Sequence, residues 1–385
     1  MSFRAVLALG LVASLGVAAC AQDASEGEEA DEALQEAMDE LVAMPAGPPG
    51  VIVVVQRGGS RQVHTAGLAD VAAGAEPTGT DQMRIASVAK AFSGAVALSL
   101  VDEGRLSLDD TIGELRPDLP EAFHEVTVRH LLNHTSGVPD FIHTAGFEDA
   151  VVASLDVAPP PRELLSFIED EPLGFPPGSR YMYSNSDNII VGLIAEAVTG
   201  GSYANALADQ VYEPLDLDAT SLPDGTEIAA PTFRGYDLVP PAPPEDATNV
   251  LAGGWAWASG GIVSTPEDLN EFIRGYVAGE LFGAEVQEEQ RTFIPGAGSE
   301  PTGPGENSGG LALFRYDTDC GTVYGHTGNT VGYTQFAAAS SDGRRSATAS
   351  MNLQRTHQTE GYGREVWAAL HHVEELAVCA AMAGA

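Results

Sequence analysis

Apolar positions along the chain change period twice. Val51-Ile52-Val53-Val54-Val55 is an unbroken apolar run of strand length, and residues 61–67 read as its partner across a Gly58-Gly59 turn. Residues 85–103 repeat at helical spacing and stop at Gly104. From about 106 to 230 strand signals vanish. Helical patterns at 127–133, 162–169 and 187–199 alternate there with proline-rich turns such as Pro159-Pro160-Pro161 and Pro176-Pro177-Gly178. Strand-like runs return at 310–316, 321–326, 332–339 and 345–352, joined by short turns, and a helix at 362–379 closes the pattern. The proline-rich segment 237–250 reads as a surface loop. Strands, then helices, then strands again predict an α/β fold of the α+β sandwich kind. An antiparallel sheet is flanked by terminal helices, with a helical lobe inserted at about 106–230 of a domain spanning 45–379. A cleft between the two lobes is the expected place for a ligand.

The first residues follow other rules. Residues 5–19 are apolar behind Arg4, too short for a comfortable membrane span and laid out as an export signal over 1–20. Val17-Ala18-Ala19-Cys20 resembles a lipobox, which would make Cys20 a lipidation site; cleavage after Ala19-Cys20-Ala21 is the competing reading. The expected location is therefore a cell-surface or periplasmic lipoprotein, or else a secreted protein. Residues 22–40 carry many acids and no base, which predicts an acidic tether over 21–44, with a first helix possible from Asp31. Cys320 and Cys379 remain; outside the cytoplasm they can pair as a disulfide, and two buried thiols are the other reading.

Composition excludes some partners. A formal charge of -37 leaves no basic patch for nucleic acid and none for anionic lipid heads, so membrane contact is expected only through the N-terminal anchor. Hydrophobic residues make up 44%, enough for a large core.

Candidate chemistry starts at Ser87-Val88-Ala89-Lys90. Positions three apart share a helix face, so a hydroxyl and an amine become neighbours, in a first turn whose free N–H groups favour negative charge. A serine hydroxyl needs a base, and a desolvated lysine can serve as one. Of 18 basic residues Lys90 is the single lysine, so the chain keeps a cation able to lose its proton at this place alone. Tyr183-Ser184-Asn185 adds a phenol that a nearby cation can hold partly as phenolate, and an amide to hold a carbonyl or orient the lysine. His326-Thr327-Gly328 ends a predicted strand. Gly328 permits close backbone approach, and the N–H of Asn329 with that of Ser87 would form an oxyanion hole. Trp255 and Trp257 are candidates for an apolar wall or for core. His130 and His134 sit four apart, but Leu131 stands where a zinc-protease glutamate belongs and no third ligand is evident. No metal and no cofactor are expected.

Ser-x-x-Lys, Tyr-x-Asn and His-Thr-Gly in this order resemble the penicillin-recognising serine hydrolases. The chain looks like the class C β-lactamase type, and closer still like the secreted serine D-alanyl-D-alanine carboxypeptidases. Supporting stretches are 100–104, 128–137, 259–261 and 323–328 with Gly332-Tyr333, so the likeness covers roughly 45–379. The resemblance implies a β-lactamase/transpeptidase-like fold and an acyl-enzyme route in which Ser87 attacks while Lys90 and Tyr183 shuttle its proton. Asn185 would bind the acyl amide, and His326 and Thr327 would face the leaving portion. The implied substrates are a peptidoglycan stem peptide, a β-lactam or an ester, with D-Ala-D-Ala carboxypeptidase activity foremost. β-Lactamase, esterase and D-aminopeptidase activity, or a non-catalytic β-lactam or peptidoglycan binder, stand as alternatives. One departure concerns an arginine that holds the substrate's carboxylate in the carboxypeptidase branch. Here Phe314 falls opposite it and Arg315 lies one residue late. If Arg315 faces away, esters or amidated D-peptides become the better substrates.

Overall fold

The computed structural model of the protein describes residues 10–355 and 362–384, with side chains from Glu26 onward except that of Tyr362. Residues 1–9 of the expected export signal and the Cys20 side chain lie outside that description.

Helix α1 (Gly10–Ala43) leads into strands β1 (Gly50–Arg57) and β2 (Ser60–Gly67). Helices α2 (Ala89–Asp102), α3 (Ala145–Ala153), α4 (Asn185–Thr199) and α5 (Pro266–Ala278) follow, linked by short helical turns. Strands β3 (Ile294–Pro295), β4 (Glu306–Gly309), β5 (Phe314–Thr318), β6 (Gly321–Thr330), β7 (Tyr333–Ala339) and β8 (Arg345–Met351) complete the sheet before α6 (Tyr362–Met382). The eight strands run antiparallel in the order β2-β1-β8-β7-β6-β5-β4-β3.

Alternation along β1 explains the layers. Val51, Val53 and Val55 pack with Leu34, Met38 and Leu41 of α1 and Leu370, Val373 and Ala377 of α6. Ile52 joins the opposite core, where Phe92 of α2 stacks on Phe272 of α5 with ring centroids 3.5 Å apart. Both faces of the sheet are thus covered, which is why β1 reads as a continuous apolar run.

Two expectations change. The acidic stretch is no tether from Asp31 onward: Leu34, Met38 and Leu41 recur on one helical face and are fully buried, and Asp31 pairs with Arg57 at 2.5 Å. The run 310–316 is a strand only from Phe314. Residues 310–313 form a turn in which Ala312 adopts φ 48°, Gly310 N donates to Leu313 O, and Leu311 and Leu313 are buried against the helical lobe. The apolar pattern there reports core contact made by a turn, which period alone cannot distinguish from a strand. Strand β4 and the short β3 lack an apolar alternation and escaped sequence analysis.

Cys320, in the β5–β6 turn, is joined to Cys379 of α6 across 59 residues, with Cα atoms 5.0 Å apart. Closing a loop of that length restricts the unfolded chain, so the C320S/C379S double variant should lose about 2–4 kcal/mol of stability. Urea denaturation reads this, and an unchanged midpoint would contradict it.

Candidate active site

Ser87 sits in a single 3-10 turn (Ala86–Val88) at the foot of α2. Ala86, immediately before it, has φ 50°, a strained conformation for a residue with a Cβ that costs on the order of 1–3 kcal/mol. Strand β6 passes directly alongside: a Cβ on Gly328 would lie 2.5 Å from Ile85 O and 3.1 Å from Ser87 N. Only glycine allows the strand backbone this near the Ser87 N–H. The Asn329 side chain is tied back to Arg355 O and, at 3.4 Å, Thr334 Oγ1, so that residue also meets the site through its backbone.

Lys90, one helical turn after Ser87, is completely buried. Its Nζ donates to Ser87 Oγ at 2.9 Å, to Asn185 Oδ1 at 2.7 Å and to Ser259 O at 2.8 Å. All three N–H directions are used and no carboxylate touches the amine. Burial therefore lowers its pKa to about 7, against the opposing pull of Asp140, Asp187 and Glu300. Asn185 opens α4 and is itself held, its backbone N and Nδ2 both donating to Asp140 Oδ2 at 3.0 and 2.8 Å. This fixes the amide with its oxygen toward the lysine.

Tyr183 is partly buried, its Oη enclosed, with Lys90 Nζ 5.1 Å from its ring centroid. Burial pushes its phenol well above the ordinary value, and the adjacent Ser87 hydroxyl tempers the effect without reversing it. Its Oη makes no well-aligned hydrogen bond. Burial thus favours the protonated phenol over the partial phenolate expected from sequence, while it favours loss of the Lys90 proton.

Behind these lies a second polar layer. His134 Nδ1 meets Asp187 Oδ2 at 2.8 Å, and Ser136 Oγ donates to Asp187 Oδ1 at 2.6 Å. Burial drives His134 down to about 3 and Asp187 upward, so both favour their neutral forms. His134 is therefore structural. His130, whose Nδ1 accepts from Thr127 N, caps its own helix. No group of three or more potential metal ligands occurs among the described residues.

A cavity of about 350 Å³ opens over Ser87. Asn185, Asn329 and Ser259 lie at its polar end, with Phe141, Phe147, Val151 and Trp255 making an apolar wall. Among the described residues no charged side chain lines it. Helix α3 supplies Phe147 and Val151, and Trp255 is fixed by its indole N–H donating to Ser154 O at 2.9 Å. Sequence reasoning missed Asp140, the Ser259 carbonyl and the α3 wall; only the capping-type Asp140 ahead of Phe141 carried a local signal.

Four sequence candidates lie elsewhere. Trp257 is core, packed on Tyr203 at 5.0 Å and too near Gly192 for any Cβ there. Arg315 leaves the cleft: strand alternation sends it outward, where it pairs with Asp317 at 2.8 Å, while buried Phe314 points at His326, ring centroids 5.0 Å apart. His326 is itself buried behind Tyr183, its Nδ1 meets Thr327 O, and burial lowers it to about 3, so it is no cation. Thr327 spends its hydroxyl on Pro301 O and Ser299 Oγ at 2.5 and 2.6 Å rather than on open space.

With the amine titrating near 7 and needed unprotonated, kcat/KM should fall about tenfold per pH unit below 7 and level off above it. Lys90→Arg keeps the charge but cannot lose the proton, and should abolish turnover. A flat profile between about pH 5 and 9 or an active arginine variant would remove lysine as the base.

A family model described as Beta-lactamase matches residues 31–371. Protein flp of Staphylococcus aureus (strain MW2) is 27% identical over 235 residues, covering 59% of this chain and 45% of that protein, so the chain spans less than half of that relative's length. The D-stereospecific amidohydrolase from Streptomyces sp. superposes with TM-score 0.74 at 28% identity, covering 89% of this chain and 98% of that one. The D-amino acid amidase from Ochrobactrum anthropi SV3 does so with TM-score 0.77 at 26% identity, covering 90% and 98%. The fold, the buried Ser87–Lys90 pair and these matches together make the chain a member of the beta-lactamase family of serine acyl-enzyme hydrolases.

Proposed function

We propose that the chain hydrolyses amides of D-amino acids or short D-peptides whose departing group carries no carboxylate. The observation that carries this reading is the turn of Arg315 away from the cleft, with Phe314 and a neutral His326 in the place where a carboxylate holder would be needed. D-Ala-D-Ala carboxypeptidase activity requires such a holder, since a buried carboxylate without a cation or donor is costly. The likeness to an amidohydrolase and an amidase of D-compounds, over nine-tenths of the chain, supports the choice of substrate class. The aromatic wall of the cavity suits an apolar acyl side chain.

In this reading neutral Lys90 takes the Ser87 proton as Oγ bonds to the carbonyl carbon. The carbonyl oxygen becomes an oxyanion held by the N–H groups of Ser87 and Asn329, each typically worth on the order of 10² to 10³ in rate. The C–N bond breaks as the proton returns, through Tyr183, to the amine nitrogen. Water then attacks the ester, Lys90 again taking a proton, and Ser87 is released. Catalysis would occur at the outer face of the membrane, on a chain exported and tethered through Cys20.

The test is a panel of D-phenylalanine amide, L-phenylalanine amide, D-Phe-D-Ala, nitrocefin and p-nitrophenyl acetate. The D-amide should exceed the L-amide and the free-carboxylate dipeptide by at least about tenfold in kcat/KM, a difference of about 1.4 kcal/mol. An inert D-amide beside a rapidly cleaved dipeptide would restore the carboxypeptidase reading. A stable adduct without product release would point to a binder.

A further inference from the structure

A charged segment that does not line the apolar cavity is bonded to β6 close to where that strand abuts Ser87. Residues 298–301 are pinned there at several points: Tyr181 Oη donates to Gly298 O at 2.5 Å, Ser299 Oγ meets Thr327 Oγ1 at 2.6 Å, and Pro301 O accepts from both Ser299 and Thr327. Glu300 stands between these anchors, exposed to solvent while Ser299 beside it is buried. Among the described residues it has neither an ion-pair nor a hydrogen-bond partner. Its charge nevertheless acts on Lys90, His134, Tyr181 and Tyr183, the groups that surround the proton path.

Position decides which part of a substrate meets this carboxylate. Glu300 does not line the aromatic cavity that suits the acyl side chain. Residues 298–301 are bonded to Thr327, one residue before the Gly328 that abuts Ser87 N, and Glu300 is the exposed member of that segment, so a departing fragment that runs along this end of β6 meets its charge. Neither Arg315 nor His326 offers a positive charge to offset it.

We propose that Glu300 is a specificity-determining residue that reads the charge of the departing fragment. It rejects fragments bearing a carboxylate and accepts ammonia, neutral amines or amines that carry a further positive charge. The inference rests on the amidase reading for its natural substrate class, but the charge effect belongs to the site whichever acyl group is used.

The experiment compares matched pairs on the intact protein and on Glu300→Gln. One pair is D-Phe-D-Ala-NH2 against D-Phe-D-Ala; the other is the esters 4-acetoxybenzamide against 4-acetoxybenzoate, whose phenols leave neutral or carrying a carboxylate. The quantity read is the ratio of kcat/KM within each pair, which cancels any common change at Lys90 or Tyr183. An exposed charge acts weakly through solvent, so the neutral-over-anionic ratio should fall about two- to fivefold in Glu300→Gln. In the unaltered protein the same ratio should shrink as salt rises from about 30 mM to about 0.5 M. Because the bulk charge of -37 repels any anion, the substitution and not the salt effect assigns the selectivity to this residue. Ratios unmoved by Glu300→Gln would overturn the proposal. So would an equal loss on both dipeptides, which would mean that Glu300 holds the substrate's own ammonium. If both D-peptides are inert while the ester ratio shifts as stated, the amidase reading fails and the charge reading stands.

Discussion

An isolated ammonium ion enclosed in protein has to be matched by acceptors or else lose its proton, and Lys90 is placed so that both remain open to it. Three neutral oxygens, from Ser87, Asn185 and Ser259, use its three N–H bonds, which is enough to hold the cation. None of them is a carboxylate, so holding it is not strongly favoured over releasing the proton. The balance brings an amine that titrates near 10.5 in water down to about 7. It also explains the two-lobed architecture in physical terms. The acceptors come from the foot of α2, the start of α4 and the loop before α5, and water is excluded from the amine only when these elements close around it. An arginine would find the same oxygens and never give up its proton.

The surrounding charges are arranged so that this balance is not lost. Asp140 is the nearest strong acceptor that could have bonded the amine directly and raised its pKa. Asn185 stands between them instead, donating two hydrogen bonds from its N–H groups to Asp140 and offering only its neutral oxygen to Lys90. The amide passes on orientation without passing on charge. Asp187 is treated in the same way by His134 and Ser136, which satisfy its oxygens in a setting where burial favours the protonated acid. Burial favours the neutral forms of Tyr183 and His326 on either side, so neither adds a charge beside the amine.

Much of this was legible because it is local. The strand pair 51–67 and the helix after Ser87 follow from hydrophobic period, and the juxtaposition of Ser87 with Lys90 follows from helix geometry alone. The single lysine marked its own importance by composition. What could not be read depends on contacts between distant segments. Asp140 and Asn185 are 45 residues apart and Lys90 and Ser259 are 169 apart, and no pattern along the chain announces such meetings. Trp255 and Trp257 have the same local signature, yet the first lines the cavity while the second packs on Tyr203, because the helical turn between them sends the rings to different sides. The acidic N-terminal stretch misled for another reason: its composition suggests solvation, but Leu34, Met38 and Leu41 still supply one apolar face.

The direction of Arg315 shows how substrate choice can be decided far from the substrate. On a strand, a shift of one residue exchanges the cleft for solvent, so the fate of Arg315 is set wherever the register of β5 is set. That place is the turn at 310–313. Leu311 and Leu313 are locked into the core of the helical lobe, Ala312 N donates to Leu132 O at 2.7 Å, and Tyr276 Oη donates to Ala312 O at 3.2 Å. Gly94 of α2 leaves room for the Ala312 side chain, since a Cβ there would stand 2.1 Å from it. Helix α2 also carries Lys90, so one rigid element fixes both the base and the register that turns the arginine outward. Restoring a carboxylate holder by exchanging residues 314 and 315 would bury a guanidinium beside His326, in the place of an apolar ring. The packing of the core and the charge preference of the leaving-group side are therefore one constraint, and Glu300 lies on the side that constraint leaves without a cation.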